Sequence, residues 1–131
     1  MKRITIFGST GSIGQSTLDL IRRAPQRYQV AALTGGRNIV GLARDAQIFN
    51  AELVVTAYES QYAGLKTLLD GTGIRVAAGE SGLMEAADLH ADWFMSAIVG
   101  AAGLAPGLRA LKHGTTLALA NKESLVAAGL C

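Results

Sequence analysis

The stretch Ile4-Thr5-Ile6-Phe7-Gly8-Ser9-Thr10-Gly11-Ser12-Ile13-Gly14 decides the fold. Its first four residues are apolar or β-branched and read as a strand. Three glycines spaced three apart follow. A helical pattern comes next, in which Leu18 and Ile21 share one face and Thr17 and Leu20 adjoin it, until Pro25 stops it. In a strand–turn–helix of this kind the first glycine permits a tight turn off the strand. The second lets the backbone approach a pyrophosphate, and the third allows the helix to pack closely on the strand. The helix then begins near Ser12, with its free N–H groups and positive dipole end facing the phosphates. Ser9, Thr10 and Ser12 add hydroxyl donors and no negative charge. The spacing is G-x-x-G-x-x-G, not the commoner G-x-G-x-x-G, and a glycine triplet alone also suits an ordinary turn. The pattern on both sides favours the dinucleotide grip.

Outward from that loop, strand and helix patterns alternate. Strands are expected at Arg3–Phe7, Tyr28–Leu33, Leu53–Thr56, Arg75–Ala77, Trp93–Ile98 and Thr116–Leu119. Helices are expected near Ile13–Arg23, Ile39–Phe49, Ser60–Leu69, Ser81–Leu89 and Leu104–Lys112, with Ser81 as an N-cap and Gly114 as a C-cap. Gly71-Thr72-Gly73 is a turn, and Ser124 starts a last apolar helix. Six strands interleaved with helices define an α/β fold, a doubly wound parallel sheet of Rossmann-like type.

The length of 131 residues fits one domain, and half of them are hydrophobic, enough for a sizeable core. No apolar run approaches the ~20 residues that span a bilayer. Met1-Lys2-Arg3 leads straight into the first strand, so no targeting segment is expected. The single cysteine, Cys131, has no internal partner, which fits a reducing, cytoplasmic compartment. The net charge is +2 and the basic residues are scattered, which argues against a nucleic-acid partner. Met84, Trp93, Phe94 and Met95 read as packing residues. His113 beside Gly114 reads as a cation at a helix C-terminus. Asp88 and Asp92 near His90 read as a helix end and a turn, not as a metal site.

NAD-binding sheets place an Asp or Glu at the end of the second strand, about 20 residues past the glycines. Here that region is Leu33-Thr34-Gly35-Gly36-Arg37-Asn38, without a carboxylate. Arg37 offers a planar fork able to hold a 2′-phosphate by two hydrogen bonds. Gly35 and Gly36 leave room for that phosphate, and Asn38 either caps the next helix or donates to the ribose. A lone arginine is more commonly a solvated surface residue. The missing acid together with the added base points to NADPH.

The second informative stretch is Leu119-Ala120-Asn121-Lys122-Glu123-Ser124. It follows the carboxyl end of the sixth strand, where open α/β sheets place ligands. Lys122 suits a substrate oxygen or phosphate, with Asn121 and Glu123 orienting the cofactor and that lysine. The same residues also suit a capped helix start.

Gly8–Gly14, Ala97-Ile98-Val99-Gly100-Ala101-Ala102-Gly103-Leu104 and Ala120-Asn121-Lys122-Glu123-Ser124-Leu125 together closely resemble the 1-deoxy-D-xylulose 5-phosphate reductoisomerase family, in order along the whole chain. The resemblance implies isomerisation and NADPH-dependent reduction of deoxyxylulose phosphate to 2-C-methyl-D-erythritol 4-phosphate, an early step of the non-mevalonate isoprenoid pathway. It implies a divalent metal, Mg2+ or Mn2+, and a homodimer. Position by position, Thr10, Gly11, Ser12 and Ile13 match phosphate-gripping residues. Gly36, Arg37 and Asn38 match the 2′-phosphate and ribose site, with Arg37 where the family often has lysine. Asn121 and Glu123 match cofactor contacts, Lys122 matches a substrate contact, and Gly100 to Gly103 flank the nicotinamide end.

The family's metal-binding carboxylates lie beyond Ser124, so residues 1–131 are expected to be an NADPH-binding domain that holds the cofactor without turnover. The apolar stretch that ends at Cys131 is read as a longer enzyme cut after its cofactor domain. Two alternatives compete. One is the first domain of a semialdehyde or homoserine dehydrogenase, which would lack the Asn121–Ser124 motif. The other is a non-enzymatic NADPH-sensing module, which would have a self-contained C-terminus.

Overall fold

The computed structural model describes residues 1–96, residue 109 and the strand 116–119. Six strands form one parallel sheet: β1 (Lys2–Phe7), β2 (Tyr28–Gly35), β3 (Leu53–Thr56), β4 (Arg75–Ala78), β5 (Trp93–Ser96) and β6 (Thr116–Leu119). Their order is β4-β3-β2-β1-β5-β6. The chain therefore builds outward from β1 on one side and returns to β5 on the other, which makes the β1–β5 junction the topological switch point. Four helices connect the described strands: α1 (Ser12–Arg22), α2 (Ile39–Ile48), α3 (Tyr62–Leu68) and α4 (Gly79–Asp88).

Among the described residues the strands bury side chains on both faces with a period of two, interrupted in β2 by a register shift opposite Ile4 and Thr5. Ile4, Ile6, Val30, Leu33, Val54 and Met95 face α1, α2 and α3, meeting Leu18, Ile21, Leu42, Ala46 and Leu65. Phe7, Ala32, Leu53, Val55 and Phe94 face the opposite way and meet Ala86 and Ala87 of α4. The Phe7 and Phe94 rings sit 4.7 Å apart by centroid, tilted at 44°. Trp93 and Met84 are partly buried, while Phe94 and Met95 belong to the core.

The expected elements up to Ser96 are all present, with shifted ends. β2 runs two residues beyond Leu33, because Thr34 and Gly35 pair with Val55 and Thr56. The third expected helix is split into a 3-10 turn, Glu59–Gln61, and α3. Ser81 is not an N-cap. The chain turns at Gly79, with φ of 72°, and α4 starts there behind Ala78. Ser81 thus falls inside its first turn. Gly71 and Gly73 both take φ of 78°, the left-handed conformation the turn between α3 and β4 needs. The expected helix at Leu104–Lys112 and the one from Ser124 lie outside the described residues, as do positions 97 and 98 of the fifth strand.

Candidate dinucleotide site

The glycine loop is fixed by the end of β2. Gly8, at φ of 79°, turns the chain off β1. Its N–H donates to the Thr34 carbonyl at 3.0 Å and to Thr34 Oγ1 at 3.2 Å. The next N–H, of Ser9, donates to the same carbonyl at 2.9 Å. Ser9 is fully buried and its hydroxyl also donates to Thr34 O, at 3.3 Å. Ser9 is therefore committed to the protein, contrary to the expectation that its hydroxyl serves a phosphate. Thr10 is partly buried, and Gly11 and Ser12 are exposed.

The glycines differ in what they do. A Cβ on Gly14 would lie 2.4 Å from Gly8 O and 2.5 Å from Ser9 Cα, so α1 packs on the loop only without a side chain there. A Cβ on Gly11 would meet nothing nearer than Gly8 O at 3.7 Å. The protein itself does not require that glycine, which leaves its bare backbone available to a ligand. Gly11 is the N-cap of α1 and supplies no side-chain cap. The first N–H groups of a helix have no partner within it, so those of Ser12 and Ile13 are suited to an anion.

Gln15 braces the loop from behind. Its Nε2 donates to Ser9 O at 2.9 Å and to the buried carboxylate of Asp45, on α2, at 2.6 Å. One amide group thus ties the loop, α1 and α2 together.

The turn after β2 carries the second half of the site. Gly35 is buried, and a Cβ there would sit 3.3 Å from Leu42 Cδ2 and 3.4 Å from Thr10 Oγ1. Thr10 of the glycine loop therefore reaches the end of β2, which brings the two predicted half-sites together. Asn38 caps α2, its Oδ1 accepting from Gly41 N at 3.1 Å. Arg37 is exposed, and its guanidinium carbon lies 4.5 Å above the ring of Tyr58. No carboxylate of the described residues forms an ion pair with it.

Asn121, Lys122 and Glu123, and Gly100 to Gly103, lie outside the described residues. Sequence reasoning missed Thr34, Gln15, Asp45, Thr56 and Tyr58. Thr34 had a signal, since it immediately precedes Gly35-Gly36 at the strand end. The partnership of Gln15 and Asp45 links positions 30 residues apart and leaves no local pattern.

Elsewhere the charged groups serve the fold. Arg3 donates from its backbone N to Asp92 Oδ2 at 2.8 Å and from its guanidinium to Glu52 Oε1 at 2.6 Å. The Arg3 hydrogen bond holds the Glu52 carboxyl below its ordinary value, and the Arg3 N–H does the same for Asp92. Asp88 pairs with Arg109 at 2.6 Å. Among the described residues no group of three His, Cys, Asp or Glu side chains is placed to hold a metal ion. No helix of the described residues is long and apolar enough to cross a membrane.

A glycine-rich turn at the switch point of a doubly wound sheet, with an arginine shortly after β2, is the arrangement of a dinucleotide-binding domain. The profile of the 1-deoxy-D-xylulose 5-phosphate reductoisomerase family matches residues 4–129, and the chain belongs to that family. It is 65% identical over 128 residues to the reductoisomerase of Jannaschia sp. (strain CCS1), and 62% identical over 129 residues to that of Ruegeria sp. (strain TM1040). These alignments take in 98% of this chain and 33% of each relative, so the chain spans about a third of the relatives' length. Among solved structures it is similar to the Zymomonas mobilis reductoisomerase in complex with NADPH, at 53% identity and a TM-score of 0.88, over 98% of this chain and 34% of the other. It is also similar to a DOX-P reductoisomerase in complex with NADPH, fosmidomycin and magnesium, at 42% identity and a TM-score of 0.85, over 98% and 32%.

Proposed function

We propose that residues 1–131 form the NADPH-binding domain of a reductoisomerase that converts 1-deoxy-D-xylulose 5-phosphate to 2-C-methyl-D-erythritol 4-phosphate in non-mevalonate isoprenoid synthesis. The observation that carries the cofactor assignment is the turn at Gly36-Arg37-Asn38. It presents a guanidinium without an ion-pair partner among the described residues, where NAD-binding sheets present an acid. Support comes also from family membership and from the NADPH complex of the Zymomonas mobilis relative.

In this reading Thr10, Gly11, Ser12 and Ile13 hold the pyrophosphate by backbone N–H and hydroxyl donors. Arg37 reads the 2′-phosphate, with Gly36 and Asn38 beside it. Asn121 and Glu123 orient the cofactor, and Lys122 holds an oxygen of the phosphosugar substrate. NADPH, when bound, supplies the hydride. The Mg2+ or Mn2+ of the full-length enzyme falls to carboxylates outside this chain, and no metal step is assigned to the described residues. The full-length protein is proposed to be a cytoplasmic homodimer, and the isolated chain to bind NADPH without turnover.

The test is a pair of titrations. Arg37→Asp replaces attraction of the 2′-phosphate by repulsion, and should weaken NADPH binding at least tenfold while leaving NADH near its original affinity. That factor corresponds to losing one charge-assisted contact, about 1.5 kcal/mol. Equal losses for the two cofactors would remove the assignment. The reaction is tested by NADPH oxidation with deoxyxylulose phosphate and Mg2+. The full-length protein should turn over; steady turnover by the isolated chain would refute the division of labour.

A further inference from the structure

We propose that Tyr58 is a specificity-determining positioning residue, whose ring holds the Arg37 guanidinium in place to read a 2′-phosphate. The inference rests on the NADPH reading above. Tyr58 lies just beyond β3 and is an aromatic residue left 43% exposed. Its ring stands 4.5 Å from the Arg37 guanidinium carbon. The same ring would meet a Cβ on Gly36 at 3.3 Å, so it covers the turn as well as its arginine.

Its location is built by hydrogen bonds. The buried Thr56 hydroxyl donates to Gly36 O at 3.0 Å and accepts from Tyr58 N at 3.3 Å. Ala57 N donates to Gly35 O at 2.8 Å. The backbone after β3 is thus tied to the backbone after β2, and ring and guanidinium meet as a consequence.

Stacking differs in kind from an ion pair. A carboxylate partner would occupy the N–H donors of Arg37 and cancel the charge a phosphate needs. An aromatic face takes only the plane of the guanidinium and leaves the donors at its rim free. It also restricts a long side chain before the ligand arrives, so less conformational entropy is lost on binding. The benefit applies only to a cofactor that carries the 2′-phosphate.

The experiment measures NADPH and NADH dissociation constants of the intact protein for Tyr58→Ala, Tyr58→Phe and Arg37→Met. In Tyr58→Ala the NADPH-over-NADH preference should fall about two- to fivefold, the range expected of an exposed cation–π contact, with NADH affinity unchanged. Tyr58→Phe keeps the ring and should keep the preference. Tyr58→Ala in the Arg37→Met background should change nothing further. An unchanged preference in Tyr58→Ala overturns the proposal, as does an equal loss for both cofactors, or a Tyr58→Phe variant that behaves like Tyr58→Ala. If Arg37→Met lowers the preference and Tyr58→Ala does not, the stacking role alone fails. If Arg37→Met leaves the preference intact, the NADPH reading fails with it.

Discussion

Of the glycines of the front loop, Gly14 is needed by the fold and Gly11, in the proposed function, by the ligand, and two alanine substitutions separate them. In Gly14→Ala the new methyl would stand 2.4 Å from Gly8 O, 2.5 Å from Ser9 Cα and 2.6 Å from Ser9 O. All three are backbone atoms, and each would have to retreat by roughly 1 Å to reach ordinary contact. They are poorly placed to do so. Gly8 N and Ser9 N both bond Thr34 O, at 3.0 and 2.9 Å, and Gln15 holds Ser9 O from the other side. Overpacking of this kind costs up to about 3 kcal/mol. Alanine in a helix returns about 1 kcal/mol relative to glycine. The expected net loss is about 2 kcal/mol, accompanied by loss of NADPH binding as the loop distorts.

Gly11→Ala is the contrast. The nearest atom is 3.7 Å away, and φ of −75° suits any residue. Alanine is a poorer N-cap than glycine by roughly 0.5–1 kcal/mol. The lower entropy of the unfolded chain offsets this by about 0.4–1 kcal/mol. Stability should stay within about 0.5 kcal/mol, whereas a methyl set between backbone and pyrophosphate should weaken NADPH about tenfold, the equivalent of one charge-assisted hydrogen bond. Urea unfolding followed by the fluorescence of Trp93, the sole tryptophan of the chain, gives the stabilities. Fluorescence titration with NADPH gives the affinities. Equal stability losses in the two variants, or a Gly14→Ala variant as stable as the parent, would refute the division.

Thr5 is fully buried in β1 and its hydroxyl has no hydrogen-bond partner among the described residues. Thr5→Val keeps the shape and removes the unpaired oxygen, so it should stabilise by about 1 kcal/mol in the same urea experiment, and a loss of stability would show that the hydroxyl is used. The Arg3 cluster sets an acid limit. The hydrogen bond from Arg3 leads the causes that hold folded Glu52 below its ordinary value of 4.5, so the unfolded chain binds more protons in that range. The associated stability is therefore complete above pH 4.5 and is lost as pH falls through the lower folded value. Asp92, held down by the Arg3 backbone N–H, has the same sign. Arg3→Leu deletes the guanidinium and keeps the N–H, so its stability should fall less steeply with acid than the parent's without becoming flat. Parallel profiles through a pH series crossing 4.5 would contradict this.

Most of the architecture was legible because it depends on local periodicity. Ile4 and Ile6 point one way and Phe7 the other, and Leu18 with Ile21 recurs at helical spacing. Such patterns fix strand, helix and face without knowledge of distant partners. The helix boundary at Ser81 failed for a local reason of another kind. Serine is a common cap, but a glycine at positive φ two residues earlier had already turned the chain. The glycine loop was legible as a motif and only partly legible as a structure. Gly8, Gly11 and Gly14 look equivalent on the page, yet their surroundings assign them a turn, an open approach and a close packing contact.

What the sequence withheld was the support of the site, because support comes across the sheet. Thr34 accepts from both N–H groups that shape the glycine loop, those of Gly8 and Ser9, across the strand boundary. Thr56 fixes the turn at Gly36 across 20 residues. The sheet order explains why these particular residues serve. β2 lies between β1 and β3, so its end borders the glycine loop on one side and the backbone leading to Tyr58 on the other. In the proposed function a change in that short segment reaches both the pyrophosphate grip and the 2′-phosphate reader. β5 and β6 stand on the far side of β1. Asn121, Lys122 and Glu123 follow β6 in sequence, and in the proposed function they serve the reactive end of the cofactor. In the proposed function the choice of cofactor is thus separated along the chain from the chemistry done with it. Substitutions after β2 and β3 should therefore alter which dinucleotide binds, and those after β6 what the bound dinucleotide does.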